Sequence, residues 1–239
     1  AAAGHQAEAA RRKAMDDNPG RYVLIVDGSI PTGDHEFWSA SAGESNLATL
    51  RDAVRNAGVV IALGTCATFG GIPAANPNPS QATGVDDLMA RGLIDTKPLV
   101  NVSGCPPVPE VITGTIAYYL VHGQAPELDD LKRPKVFYGK TVHDCCARLP
   151  HFNAGRFAQS FDDAGARQGH CLYLLGCKGP ETFNACTTVK WNQGTSYPMH
   201  SGHGCIGCSE PQFWDKNPSF YTVAGAPRAG DGSACAAPA

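Results

Sequence analysis

The stretch from His143 to Cys208 limits what this chain can be more than any other feature. It holds seven of the ten cysteines: Cys145, Cys146, Cys171, Cys177, Cys186, Cys205 and Cys208. Glycines surround them and long charged side chains are few. Soft thiolates at this density suit a soft metal or an iron–sulfur cofactor better than acid–base chemistry. Buried inert thiols account for one or two such positions, not for seven. A secreted disulfide framework belongs mostly to chains below about 80 residues, which are too short to build a core. Here 239 residues with 43% hydrophobic side chains are enough for one. Structural zinc calls for paired Cys-x-x-Cys units, and only Cys205 to Cys208 has that spacing.

Strands and helices alternate before this stretch. Arg21 to Val26 is a continuous apolar run closed by Asp27-Gly28, the pattern of a strand buried on both faces. Asn46 to Ala57 carries Leu47, Leu50, Val54 and Ala57 on one face, with Asn46 as the expected N-cap of a helix. Val59 to Leu63 is the next buried strand and runs into Gly64-Thr-Cys66. A Gly-, Pro- and Asn-rich loop from Gly70 to Thr83 leads to a short helix at Val85 to Arg91. Leu99 to Val102 is a third strand, followed by Gly104-Cys105-Pro106-Pro107. Glu110 to His122, ended by Gly123, is a further helix. The alternation predicts an α/β fold with a doubly wound parallel sheet. Cys66 and Cys105 each follow the carboxyl end of a strand, where such sheets bind ligands.

Regular periodicity fades after Pro134. Lys135 to Tyr138 reads as a short strand and Phe152 to Phe161 as a helix. The expected division is therefore 1–134 for the α/β domain and 135–239 for an irregular, mostly loop domain that metal clusters staple together. An Ala/Gly-rich tail follows Ala224. The net charge of -3, with both signs scattered, leaves no footprint for nucleic acid or an anionic membrane. No apolar run reaches the roughly 20 residues a transmembrane helix needs. Residues 1–15 read as a surface helix without the apolar core of a secretory signal, as in a processed chain or a fragment.

Three ligand groups emerge. Cys66 and Cys105 are two thiols in glycine-flanked loops; they serve a cluster only if about two more ligands join them, and otherwise are separately packed cysteines. His143, Cys146, Cys171 and Cys177 offer one imidazole and three thiolates, with adjacent Cys145 leaving open which sulfur binds. An imidazole ligand makes a cluster less negative and raises its potential. Cys186, Cys205 and Cys208 offer three thiolates, enough for a cluster with one vacant corner. Trp191 and Phe213 are candidates to shield these sites from water, although packing alone also explains them.

The motifs Gly64-Thr-Cys-Ala-Thr-Phe-Gly-Gly71, Gly104-Cys-Pro-Pro-Val-Pro109, His143-Asp-Cys-Cys146, Gly176-Cys-Lys-Gly-Pro180, Asn184-Ala-Cys186, Trp191-Asn-x-Gly194 and Gly202 to Glu210 occur in one order and spacing. With them the chain resembles the small, electron-transfer subunit of nickel–iron hydrogenases from Gln6 to about Tyr221. The resemblance implies a flavodoxin-like domain and a cluster-binding domain. It assigns Cys66 and Cys105 to a proximal 4Fe-4S cluster, His143, Cys146, Cys171 and Cys177 to a distal 4Fe-4S cluster, and Cys186, Cys205 and Cys208 to a medial 3Fe-4S cluster. It selects Cys146 over Cys145, and it leaves Cys145 beside the distal cluster and Cys235 without a role. The nickel–iron centre is implied on a partner large subunit, so no catalytic residue is expected here. An external electron carrier such as a cytochrome is the expected redox partner. The periplasm is the expected compartment, with membrane association only through a partner.

Family members carry a Cys-x-x-Cys segment, ahead of the part matched here, that supplies two further proximal ligands. This sequence lacks it, so the first sheet strand and a complete proximal cluster are expected to be missing. Oxygen-tolerant relatives place an extra cysteine where this chain has Gly71, so the standard, oxygen-sensitive type is implied. Selenium-containing relatives place a fourth medial cysteine where this chain has Pro198. Two alternatives remain. One is the related cluster-bearing subunit of a respiratory quinone-reducing complex, which lacks ligands like those from His143 to Cys208. The other is a non-redox metal-binding scaffold.

Overall fold

The structure is a computed structural model that describes residues 3–34, 36–223 and Cys235. The tail after Ala224 lies outside the described residues apart from Cys235. The chain forms two compact units, residues 1–103 and 104–239. The change of character read from the sequence falls later, near Lys135.

The first unit opens with helix α1 (His5–Asp16), which buries none of its residues. Its Arg11 and Arg12 reach Asp52, and Arg12 also pairs with Glu44. Strand β1 (Val23–Asp27) follows, then the small hairpin β2 (Ala40–Ser41) and β3 (Glu44–Ser45), helix α2 (Asn46–Arg55) and strand β4 (Val59–Leu63). Helices α3 (Gly64–Phe69) and α4 (Val85–Ala90) precede strand β5 (Leu99–Val102). The sheet is parallel in the order β1-β4-β5, with Ile25 opposite Ile61 and Ile61 opposite Val100.

The core is contiguous. Val54, Val60, Val85 and Leu88 are fully buried, and α2 contributes Leu47, Leu50 and Val54. Ser45, not Asn46, caps α2: its hydroxyl accepts from the Ala48 N–H at 3.2 Å. The expectation of a fully buried first strand fails. Among the described residues β1 is paired only with β4, and Ile25 is 43% exposed. An open apolar groove lined by Met15, Tyr22, Leu24, Ile25 and Leu50 runs beside it.

The second unit begins with helix α5 (Pro109–His122), ended by Gly123 in the left-handed region with its N–H on the Tyr119 carbonyl. Regular elements then become short: α6 (Lys135–Tyr138), α7 (Leu149–Asn153), α8 (Ala164–Arg167) and three 3-10 turns. Two expectations are corrected. Lys135 to Tyr138 is a helical turn, because the Pro134 carbonyl accepts from both the Phe137 and Tyr138 N–H groups at 2.9 Å. The helix expected at Phe152 to Phe161 stops at Asn153; Gly155 turns the chain at φ 67°, and the Ala158 N–H then bonds the Cys171 carbonyl.

Buried polar links supplement this unit's core, which includes Val108, Val111, Tyr138, Val142, Leu172 and Phe213. Arg133, with its side chain 4% exposed, donates to Asp129 at 2.8 Å and to Glu210 at 2.9 Å. Its guanidinium lies 5.2 Å from the Tyr138 ring centre. Cys145 and Cys235 form a disulfide with Cα atoms 5.4 Å apart, which gives both leftover cysteines a partner. Among the described residues no helix is long and apolar enough to cross a membrane.

Candidate cluster-binding site

His143, Cys146, Cys171 and Cys177 line one cavity in the second unit, together with Arg148, Leu149, Leu172 and Met199. Local hydrogen bonding explains how four positions spread over the sequence meet there. The Val142 N–H bonds the Thr182 carbonyl at 2.7 Å, and the His143 N–H bonds the Gly179 carbonyl at 3.2 Å. These bonds lay the His143 turn against the turn that follows Cys177. The Cys146 N–H returns to the His143 carbonyl at 3.1 Å, closing a turn that aims both side chains the same way. Phe157 and Cys171 form an isolated parallel bridge, which brings in the third thiol.

The His143 ring is 7% exposed, and its Nε2 is buried without a hydrogen-bond partner. Phe152 packs edge-on against it at 4.6 Å. An orphaned buried nitrogen is costly unless something else binds it. Burial also pushes the imidazole's pKa down, which favours the neutral form that ligates metal. Burial pushes the thiols up: Cys171 to about 11, with Cys146 and Cys177 raised as well. Each thiolate also opposes its neighbours, so the three ionise together only beside a compensating cation.

Backbone N–H groups point at the sulfurs. Arg148 N–H lies 3.4 Å from Cys146 Sγ and Cys205 N–H lies 3.2 Å from Cys177 Sγ. The Arg148 side chain ties the surrounding loops by donating to the carbonyls of Met199 and His170, each at 2.6 Å.

The second candidate set lies further along the same unit. Cys186 sits on the 3-10 turn Ala185–Thr187, and the Trp191 side chain hydrogen-bonds its sulfur. Trp191 therefore contacts a candidate ligand directly. Cys205 and Cys208 flank a tight turn in which Gly207, at φ 84°, sends its N–H to Cys205 Sγ at 3.4 Å. The Ser209 hydroxyl anchors the end of this turn on the Phe183 carbonyl at 2.8 Å. Burial raises Cys186, raises Cys205 well above the usual thiol value, and raises Cys208 to about 12. The charges of Cys177 and Cys208 both act on Cys205, and those of Cys186 and Cys105 act on Cys208. A Cys105 backbone hydrogen bond to Cys208 opposes the rise.

Cys66 and Cys105 are described in their separate units. Cys66 lies in α3 directly after β4, and Cys105 is an exposed thiol just after Gly104. Gly71, at φ 63°, packs against Cys66 so closely that a Cβ there would lie 2.5 Å from its sulfur.

Eight cysteines, including all those proposed as ligands, are free thiols, which sets aside a disulfide framework. Among the described residues no group of three or more His, Cys, Asp or Glu side chains is arranged to hold a single metal ion. Four donors around a cavity, rather than around a point, fit a multi-iron cluster. Sequence reasoning missed Arg148, Lys178 and Met199. The signal was that Arg148 and Lys178 are among the few long cationic side chains beside the cysteines.

A parallel α/β unit followed by a loop-built unit lined with buried thiols and one orphaned imidazole defines a cluster-binding redox class. Comparison with known proteins narrows it. Residues 138–221 match the family model for the C-terminal part of the NiFe/NiFeSe hydrogenase small subunit. Residues 3–119 match that of the NADH ubiquinone oxidoreductase 20 Kd subunit. The uptake hydrogenase small subunit of Azotobacter vinelandii is 51% identical over 92% of this chain and 60% of its own length. The periplasmic [NiFe] hydrogenase small subunit 1 of Nitratidesulfovibrio vulgaris is 49% identical over 92% of this chain and 68% of its own. The reduced, active Ni-Fe-Se hydrogenase from Desulfomicrobium baculatum superposes with a TM-score of 0.84 at 33% identity, covering 94% of this chain and 84% of that one. The chain belongs to the family of nickel–iron hydrogenase small subunits. It spans 60% of the length of the Azotobacter relative.

Proposed function

We propose that this chain conducts electrons between a nickel–iron centre on a partner large subunit, where H2 interconverts with two protons and two electrons, and an external electron carrier such as a cytochrome. The observation that carries this reading is the cavity shared by His143, Cys146, Cys171 and Cys177, into which the second unit brings an orphaned imidazole nitrogen. We assign these four to a distal 4Fe-4S cluster and Cys186, Cys205 and Cys208 to a medial 3Fe-4S cluster. Cys66 and Cys105 are assigned to a proximal 4Fe-4S cluster. Residues 1–134 then form the flavodoxin-like domain and residues 135–239 the cluster domain, working in the periplasm.

Bound clusters supply one-electron chemistry. This chain's residues hold, space and shield them. His143 offers a neutral nitrogen, the thiols offer sulfur, and Leu149, Leu172 and Met199 keep the cavity apolar. Backbone N–H groups of Arg148, Cys205 and Gly207 stabilise negative charge on sulfur. The experiment is iron and sulfide analysis with electron paramagnetic resonance on the complex with its large subunit. A 3Fe-4S signal in the oxidised protein that disappears in a Cys186→Ser variant supports the assignment. A colourless protein containing zinc refutes it.

A further inference from the structure

Lys178 follows Cys177 and is 3% exposed. Its Nζ donates to the Gly176 carbonyl at 2.7 Å, the Phe220 carbonyl at 3.2 Å and the Thr222 carbonyl. Three donors on three acceptors is the geometry of a charged ammonium. All three acceptors are neutral, and among the described residues Lys178 makes no ion pair. A buried charge without a counter-charge is expensive. Glu181 contributes some field, but its carboxylate is already paired with Lys216 at 2.8 Å.

The surroundings show where the missing negative charge belongs. The Lys178 backbone N–H bonds the Cys205 carbonyl at 2.7 Å, and the Cys205 N–H bonds Cys177 Sγ at 3.2 Å. Burial pushes the ammonium's pKa down, and the neighbouring Glu181, Cys177 and Cys205 oppose that shift. Cys177 and Cys205 are assigned to different clusters, so one buried lysine sits in the backbone link between a ligand of each, with its ammonium held by the carbonyl that precedes Cys177. A neutral donor could hold three carbonyls at far lower desolvation cost. A nearby positive charge stabilises the reduced, more negative form of a cluster.

We infer that Lys178 is an electrostatic positioning residue whose charge, buried beside a ligand of the distal and a ligand of the medial cluster, holds both reduction potentials above those a neutral side chain would give. This rests on Cys177 and Cys205 being cluster ligands.

The test uses the complex with its large subunit and compares Lys178→Met, Lys178→Gln and Lys178→Arg by redox titration followed with electron paramagnetic resonance. The expected result is a fall in both midpoints in the Met and Gln variants at unchanged iron content. The Arg variant keeps the wild-type midpoints. Unchanged midpoints in a fully loaded Lys178→Met protein overturn the inference. Should Met and Gln fail to assemble, Lys178→Leu and Lys178→Ala are titrated in their place: lowered midpoints uphold the role of charge, and unchanged midpoints overturn it. A wild-type complex without iron–sulfur signals defeats the cluster assignment itself, a different outcome from clusters whose potentials ignore Lys178.

Discussion

His143 is the residue on which the proposed distal site turns. Its Nε2 has no hydrogen-bond partner among the described residues, so its removal leaves the three thiols one donor short. His143→Ala is expected to lose the distal cluster and its share of the iron. His143→Cys supplies a fourth thiolate and adds negative charge. It should keep the cluster and lower its midpoint by on the order of a hundred millivolts. Iron analysis and redox titration check both; an Ala variant with full iron content would falsify the ligand role. Pro198 has no donor atom, and Pro198→Cys is expected to convert the proposed medial three-iron cluster to a four-iron cluster of lower potential, read by the loss of the oxidised 3Fe-4S resonance. Much of this site was legible at the residue scale, because cysteine and histidine have few reasons to crowd together. The choice between Cys145 and Cys146 was not legible from spacing. The structure separates them: Cys146 lines the cavity and Cys145 joins Cys235, a partner 90 positions away with no local trace of the pairing.

At the scale of elements, legibility followed periodicity. Strands β4 and β5 and helix α5 carry enough apolar pattern to be read from sequence, and they lie where expected within a residue at each end. Short segments do not, since four residues such as Lys135 to Tyr138 fit a strand or a turn equally until the Pro134 carbonyl collects its two N–H groups. Helix α3 illustrates how an element positions a candidate ligand. It begins directly at the end of β4, which fixes Cys66 in its first turn, and Gly71 closes over the sulfur. A methyl group at Gly71 meets both a positive φ and a sulfur 2.5 Å away. Gly71→Ala is therefore expected to cost about 1–3 kcal/mol of stability and to displace Cys66. Thermal unfolding checks the first effect and the rate of Cys66 alkylation in the metal-free chain checks the second. A melting temperature equal to wild type would show that the loop simply shifts aside.

At the scale of the molecule, the two units rest on different kinds of cohesion. The first has a parallel sheet and a contiguous core built from Val54, Val60, Val85 and Leu88. The second, beyond Gly123, has helices of only four or five residues, buried ions such as Arg133, and thiols around a cavity. Its ligands come together by isolated bridges and single loop hydrogen bonds, which leave no periodic signal; this is why the sequence announced the donors and not their convergence. With the proposed clusters bound, such a unit depends on what its donors hold, because metal binding is then folding energy. The Cys145–Cys235 disulfide adds a second restraint, worth up to about 4–5 kcal/mol by loop closure. Extracting the iron from the complex should therefore expose residues 139–223 to limited proteolysis while a fragment containing residues 23–102 persists. Cleavage between Cys145 and Cys235 should leave the pieces joined on a non-reducing gel and part them when a dithiol is added. Equal cleavage of both units would mean that the first core is no stronger than the second. A protease-resistant second unit without iron would mean that its buried ion pairs and disulfide hold the fold, and that the clusters are guests in a preformed cavity.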